Sequence, residues 1–269
     1  MRIPLSSLLL WRGLMHGQLP DFLGIGVQKG GTTTLQRLLE QHPDLFLPKQ
    51  KELHYFSLHY GKGEAWYRQQ FAAAAPQQLC AEITPYYVFH PQAPARIHAL
   101  LPKAKLIVLL RDPVERALSQ FAHSRRLGLE PLELEQALAA EAVRLEGAEL
   151  VLTEPDGRHR SHQEHSYLAR SRYEIQLARW LSLFPRDRLF LRRSEDLFEQ
   201  PERVWAELLA FLDLPVVPLP LQGRKAHVGS RAFDNRAAVN MAEIRAELRE
   251  QLADTYARLE SDYGLCWFS

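Results

Sequence analysis

The stretch Phe22-Leu23-Gly24-Ile25-Gly26-Val27-Gln28-Lys29-Gly30-Gly31-Thr32-Thr33-Thr34-Leu35 decides how the rest of the chain is read. Its first six residues form a short apolar run of the kind that makes a buried strand. The run ends in a Lys-Gly-Gly turn, and Thr34-Leu35-Gln36-Arg37-Leu38-Leu39-Glu40 follows at helical spacing. A glycine-rich turn between strand and helix aims backbone N–H groups at one point, where the helix N-terminus adds partial positive charge. Its natural ligand is an oxyanion. Lys29 supplies a full charge, and Thr32, Thr33 and Thr34 are expected to cap the helix and donate hydroxyl hydrogen bonds to the same anion. A plain tight turn with a threonine cap and a surface lysine would use the same residues without a ligand. The nucleoside-triphosphate loop G-x-x-x-x-G-K-[ST] places lysine after its last glycine. Here Lys29 precedes the glycine pair, so an ATP or GTP reading fits poorly.

Outward from this loop, Leu79-Cys80-Ala81-Glu82-Ile83 is a second strand that stops at Thr84-Pro85, and a helix over Pro94 to Leu101 leads into Lys105-Leu106-Ile107-Val108-Leu109-Leu110. The unbroken apolar character of that last run predicts a parallel strand buried on both faces. Arg111-Asp112-Pro113 then opens a helix to about Leu127, with proline at its first turn. Further on come a helix through Leu177 to Leu181, a strand at Leu189 to Leu191, a helix over Pro201 to Leu212, and one final helix from about Met241 to Tyr263. Strands alternating with helices predict an α/β fold, a single domain over residues 21–269 with a central, mainly parallel sheet flanked by helices. Leu132 to Leu150 is helical in composition and Thr153 to His165 is rich in charge and turn formers, so residues 130–165 are expected to form a surface excursion that could cover the site.

With 269 residues, 46% of them hydrophobic, the chain is long enough for a sizeable core. Lys+Arg of 33 against Asp+Glu of 32 leaves a net charge of +1, so no bulk field points to nucleic acid, and an anion site must be local. Nothing approaches the roughly 20 apolar residues of a membrane-spanning helix. The apolar run Leu5 to Trp11 makes residues 1–20 an N-terminal segment, either packed on the domain or a peripheral membrane anchor. Two widely separated cysteines, Cys80 and Cys266, suit a reducing, cytoplasmic setting, although a single disulfide between them stays open. None of the 11 histidines forms a convincing ligand pair, His159 and His162 falling in a flexible-looking stretch, and no metal is expected.

The loop Gln28-Lys29-Gly30-Gly31-Thr32-Thr33-Thr34-Leu35 resembles the 5′-phosphosulfate loop of sulfotransferases, especially the heparan-sulfate type and its bacterial relatives. Leu109-Leu110-Arg111-Asp112-Pro113-Val114-Glu115-Arg116-Ala117-Leu118-Ser119 is similar to the family's 3′-phosphate segment, which implies that Arg111 and Ser119 hold the nucleotide's 3′-phosphate, Ser119 lying about two turns along the helix. Lys51-Glu52-Leu53-His54-Tyr55-Phe56 looks like the stretch carrying the general base, which would be Glu52, with His54 orienting the acceptor or Glu52. Gly223-Arg224-Lys225-Ala226-His227 falls where the family has a basic loop over the nucleotide, suggesting Arg224 and Lys225. Two departures bear on the acceptor. Ile83 stands where the family often has lysine, and Ser57 where the heparan-type enzymes tend to have aspartate.

The resemblance implies a P-loop-like fold and transfer of a sulfuryl group from 3′-phosphoadenosine-5′-phosphosulfate to the hydroxyl of a glycan or small molecule, releasing 3′-phosphoadenosine 5′-phosphate without a metal. Two other readings remain at the level of sequence. One is a nucleotide phosphotransferase using Lys29 and Asp112 with magnesium, since Asp112 follows an apolar strand as a metal-binding carboxylate does. The other is a module that binds sulfated or phosphorylated ligands without turnover.

Overall fold

The computed structural model describes residues 17–220 and 235–268; Arg224, Lys225 and residues 1–16 lie outside them. Five parallel strands form one sheet in the order β2-β3-β1-β4-β5. These are β1 (Phe22–Gly26), β2 (Leu45–Phe46), β3 (Leu79–Ile83), β4 (Lys105–Leu110) and β5 (Leu189–Arg193). The helices, in chain order, are α1 (Thr32–Leu39), α2 (Gly63–Gln69), α3 (Ala93–Leu100), α4 (Pro113–Arg126), α5 (Leu134–Arg144), α6 (Ala148–Val151), α7 (Arg160–Glu164), α8 (Tyr173–Leu181), α9 (Ser194–Glu199), α10 (Pro201–Phe211), α11 (Asn235–Gln251) and α12 (Ala253–Tyr263).

Residue alternation divides the core into two layers. Leu23 and Ile25 from β1, Val27 just beyond it, and Leu106, Val108 and Leu110 from β4 pack with Tyr67, Ile97, Leu177 and Trp180 on one face of the sheet. Phe22, Ile107 and Leu109 pack with Leu35, Leu38, Val204, Trp205 and Leu208 on the other. On that second face Gly24 leaves room for a neighbour: a Cβ there would lie 2.8 Å from the Ile83 side chain. The helix–sheet–helix sandwich expected from the alternation of elements is therefore what forms.

The chain order explains where a ligand must bind. After β1 the chain adds β2 and β3 on one side, then returns to add β4 and β5 on the other, so the carboxyl end of β1 is the switch point at which crossovers diverge. In open α/β sheets that divergence leaves a crevice beyond the strand ends. The loop 27–31 sits there.

Three expectations change. The final helix is two helices, α11 and α12, broken at Leu252, whose φ of −108° and ψ of 14° leave the helical region. The break lets Ile244, Leu248 and Leu252 pack on Val114 of α4, while Leu259 reaches the main core. Residues 130–165 are largely helical and mostly exposed or half-buried, as a surface segment would be, but they are anchored to the domain rather than loose. Glu130, Ala137, Glu141, Ala148, Leu152, His162 and His165 are all buried, and Thr153 to His165 contains α7 rather than a flexible loop. Arg96 of α3 donates to the carbonyls of Thr153 (3.2 Å) and Glu154 (2.9 Å), which pins this segment to the domain. Third, the threonine cap is absent, as described next.

Candidate active site

Helix α1 starts at Thr32, and its N-cap is Gly31 at φ 83°, ψ 12°, with no side-chain cap. This left-handed residue needs glycine. Thr34 and Leu35 donate their N–H groups to the Gly31 carbonyl (3.0 and 3.1 Å), while the amides of Gly31, Thr32 and Thr33 have no backbone acceptor among the described residues. The threonine hydroxyls are thus released from capping and the first amides of the helix remain for an anion. Gly30 presses the loop against the sheet, its N–H donating to the Val27 carbonyl (3.0 Å). A Cβ on Gly30 would come within 2.5 Å of the Leu109 carbonyl oxygen. The cradle fits a phosphosulfate in donor chemistry and in the absence of side-chain bulk.

Lys29 occupies a positive φ of 72°, a conformation that costs a non-glycine residue of the order of 1 kcal/mol and collects at functional sites. Burial, followed by the like charges of Arg111, Arg126 and Arg116, pushes its pKa below the ordinary lysine value. Arg111, just beyond β4, reaches the Lys29 carbonyl with Nη1 at 3.5 Å. Ser119 lies two turns along α4, half-buried, on the face that also carries His123 and Arg126. His123 has its pKa lowered by burial and by Lys29 and Arg126, which places that face of α4 in the loop's field. The positive potential therefore comes from Lys29, Arg111, Arg116 and Arg126, although the whole chain carries only +1.

Glu52 and His54 both adopt left-handed backbone, at φ 61° and 53°. Their side chains meet, His54 Nε2 lying 3.2 Å from Glu52 Oε2. Ser57 Oγ holds the other ring nitrogen, Nδ1, at 3.1 Å, so the serine takes the place of the expected aspartate as the imidazole's second partner. A network centred on buried Glu82 supports this turn. Tyr67 and Tyr87 hydroxyls donate to Glu82 Oε1 (2.9 and 2.8 Å), and the Thr84 hydroxyl donates to Oε2 (2.8 Å). Thr84 Oγ1 in turn accepts the His54 N–H (3.4 Å), and the Tyr87 hydroxyl accepts the Phe56 N–H (3.3 Å). Burial raises the Glu82 pKa, and the three hydroxyl donors oppose that rise. From α3, Arg96 Nη1 donates to the carbonyls of Phe56 and Ser57 (3.3 Å each). Ile83 points the opposite way from Glu82 and is buried in the layer beneath α1, so its side chain offers the site nothing polar.

Two contacts bring the Glu52 turn to the loop. Lys51 Nζ donates to Thr33 Oγ1 at 2.9 Å. Arg170, fully buried, donates to the Gln28 side-chain oxygen and to the carbonyls of His162 (2.6 Å) and Gln163 (3.1 Å). Its guanidinium also lies over the rings of Tyr86 (5.2 Å) and Phe89 (5.0 Å). Burial pulls its pKa down to about 10. Tyr86 packs edge-on against His54 with ring centroids 6.0 Å apart and shares a 2.7 Å hydrogen bond with His162 Nδ1. His162 is thereby part of the wall behind the site, its pKa pushed to about 2 by burial and by Arg170. Lys51, Glu82, Thr84 and Arg170 were not found by sequence reasoning. Lys51 and Glu82 lie inside motifs already quoted, but nothing local marks Arg170, whose partner Gln28 is distant in sequence.

Asp112 has other work than holding magnesium. Its Oδ1 caps α4 by accepting the Glu115 N–H at 2.9 Å, and the Tyr256 hydroxyl lies 3.1 Å from both carboxylate oxygens. Burial raises its pKa. The phosphotransferase reading is not favoured. Cys80 and Cys266 are unpaired thiols. No helix among the described residues is long and apolar enough to cross a membrane.

Comparison with known proteins gives the same picture. The membrane-associated sulfotransferase kil1 of Dictyostelium discoideum is 32% identical, over 88% of this chain and 63% of that protein. Human heparan sulfate glucosamine 3-O-sulfotransferase 3B1 is 42% identical over 45% of this chain and 30% of its own length. The chain thus spans less than two thirds of these relatives. The crystal structure of a sulfotransferase from Alicyclobacillus acidocaldarius superposes with a TM-score of 0.73 at 26% identity, covering 92% of this chain and 96% of that one. A sulfotransferase domain family matches residues 19–258. With a glycine loop at the switch point of a five-stranded parallel sheet and that match over nearly its whole length, the chain belongs to the sulfotransferase family.

Proposed function

We propose that the protein transfers a sulfuryl group from 3′-phosphoadenosine-5′-phosphosulfate to an acceptor hydroxyl, with Glu52 as general base. The observation that carries this reading is the Glu52–His54 pair at 3.2 Å, fastened to the phosphosulfate loop through the adjacent Lys51–Thr33 hydrogen bond. An alcohol is a poor nucleophile until its proton has a destination. As the acceptor oxygen bonds to sulfur, its proton passes to Glu52, the bond from sulfur to the 5′-phosphate oxygen breaks, and that oxygen leaves with the electron pair. His54 keeps one Glu52 oxygen in place and leaves the other for the acceptor. Charge growing on the leaving phosphate is met by Lys29, by the amides of Gly31 to Thr33 and by the hydroxyls of Thr32, Thr33 and Thr34. Arg111 and Ser119 hold the 3′-phosphate, which distinguishes this donor from ATP. The reaction as written calls for no metal.

A glycan is the favoured acceptor, because heparan-type relatives are among the most similar proteins. The free thiols fit a cytoplasmic setting. The test is transfer of labelled sulfate from the donor to a panel of glycans and small alcohols, alongside calorimetry with 3′-phosphoadenosine 5′-phosphate. Glu52→Gln should lower turnover by roughly 10²-fold or more and leave nucleotide affinity unchanged. Wild-type turnover in that variant would remove Glu52 from its role, and failure to bind the bisphosphate would overturn the whole reading.

A further inference from the structure

We propose that Lys51 is a catalytic residue whose ammonium binds the sulfuryl oxygens during transfer, a role that rests on the function proposed above. Lys51 is only partly exposed, and its Nζ has a single partner among the described residues, the Thr33 hydroxyl at 2.9 Å. It forms no ion pair there, although Glu52 adjoins it and Glu40 of α1 lies near enough to affect it, with Arg37 opposing. A lysine on an open surface commonly sits on a neighbouring carboxylate. This one is laid against the first turn of α1, where the helix dipole and the unpaired amides are also positive. The arrangement leaves a cation, still open to solvent, ready for an anion.

The position of the ammonium says which part of the donor it serves. The Lys29 ammonium lies in the field of Arg111, Arg126 and Arg116, on the β4–α4 side of the cradle. Lys51 enters from the other side, on the chain segment that carries Glu52, so its charge lies between the loop and the base. The leaving phosphate is matched by Lys29 and the loop amides, whereas the sulfuryl group moves from the loop towards the acceptor and spreads charge over its three oxygens. A cation fixed on Thr33 beside Glu52 follows that charge. Thr33 fixes Nζ with one hydrogen bond and leaves its other two donors for the sulfuryl oxygens. The proton and electron-pair balance is unchanged, since Lys51 stays protonated throughout.

The experiment compares wild type, Lys51→Met and Lys51→Arg in three measurements: affinity for 3′-phosphoadenosine 5′-phosphate, which lacks the sulfuryl group, affinity for the intact donor without acceptor, and turnover. The expected pattern for Lys51→Met is unchanged affinity for the bisphosphate, weaker binding of the intact donor, and a fall in turnover of about 10²-fold. Lys51→Arg should recover part of both losses, because it keeps the charge with a different shape. Turnover equal to wild type in Lys51→Met overturns the role. So does a loss of bisphosphate affinity as large as the loss of turnover, which would make Lys51 a brace for the loop. If wild type binds the bisphosphate but transfers no sulfate to any hydroxyl acceptor, the proposed function itself fails, and the Lys51 role falls with it.

Discussion

Replacing Gly30 by alanine should disable the donor site far more than it destabilises the fold. The added Cβ would lie 2.5 Å from the Leu109 carbonyl oxygen, 2.8 Å from Val27 Cγ2 and 3.1 Å from the Val27 carbonyl oxygen. Ordinary contact begins near 3.4 Å, so the loop must move by about 0.9 Å away from β4. Neither carbonyl can retreat cheaply, because Leu109 accepts the Val27 N–H (3.0 Å) and Val27 accepts the Gly30 N–H (3.0 Å). Overpacking of this kind costs about 1–3 kcal/mol, a fall of a few degrees in Tm for a chain of this size. A displacement near 1 Å in a group-transfer site costs roughly 10²-fold in rate. Gly147→Ala is the control. Unlike Gly30 it has a left-handed φ, 71°, but no atoms within 4 Å, and so carries only the backbone cost of about 1–2 kcal/mol. Thermal melts, calorimetry with 3′-phosphoadenosine 5′-phosphate and sulfate-transfer rates should show similar melting losses in both variants, with nucleotide affinity and turnover lost only in Gly30→Ala. A Gly30→Ala protein that binds and turns over as wild type would refute the placement of the donor on this loop.

Thr84→Val keeps the side-chain shape but removes the donor to Glu82 and the acceptor of the His54 N–H. Unpaired buried groups then cost about 1–3 kcal/mol, and turnover should fall while bisphosphate affinity, measured by calorimetry, stays intact. Affinity for the bisphosphate should also decline with rising pH from below the usual lysine range. Burial and the neighbouring arginines lower the Lys29 pKa in the free protein, and a bound anion raises it again, so binding takes up a proton there. Calorimetry in buffers of different ionisation enthalpy reads that uptake, and Lys29→Met should abolish it.

Much of this protein was legible from local pattern. β1, the glycine turn and α1 are contiguous, and apolar runs with turn residues between them specify such units directly. The same holds for β4 and α4, where the Pro113 start and the apolar strand agree with the folded register. Errors arose where packing chose between local options. Thr32 to Thr34 have the chemistry of caps, yet a left-handed Gly31 starts the helix without them. The pattern from Met241 to Tyr263 is helical throughout, and only two separate apolar clusters make it break at Leu252. Charge-rich residues 130–165 look like a loose surface stretch until Arg96 is seen holding them from α3 and Glu130 is found buried at their start.

The sequence by itself determined the strand, glycine turn and helix at residues 22–40, the order of the four longer strands with the main helices between them, and which residue types were available as base and cation, because each of these is set by neighbours within a turn or two. Only the tertiary structure decided that Tyr256 holds Asp112, that Ile83 faces the core, and that Lys51 and Arg170 attach the Glu52 turn and its wall to the loop. Those facts depend on which segments the parallel crossovers bring to the end of β1, and no local periodicity encodes that distance.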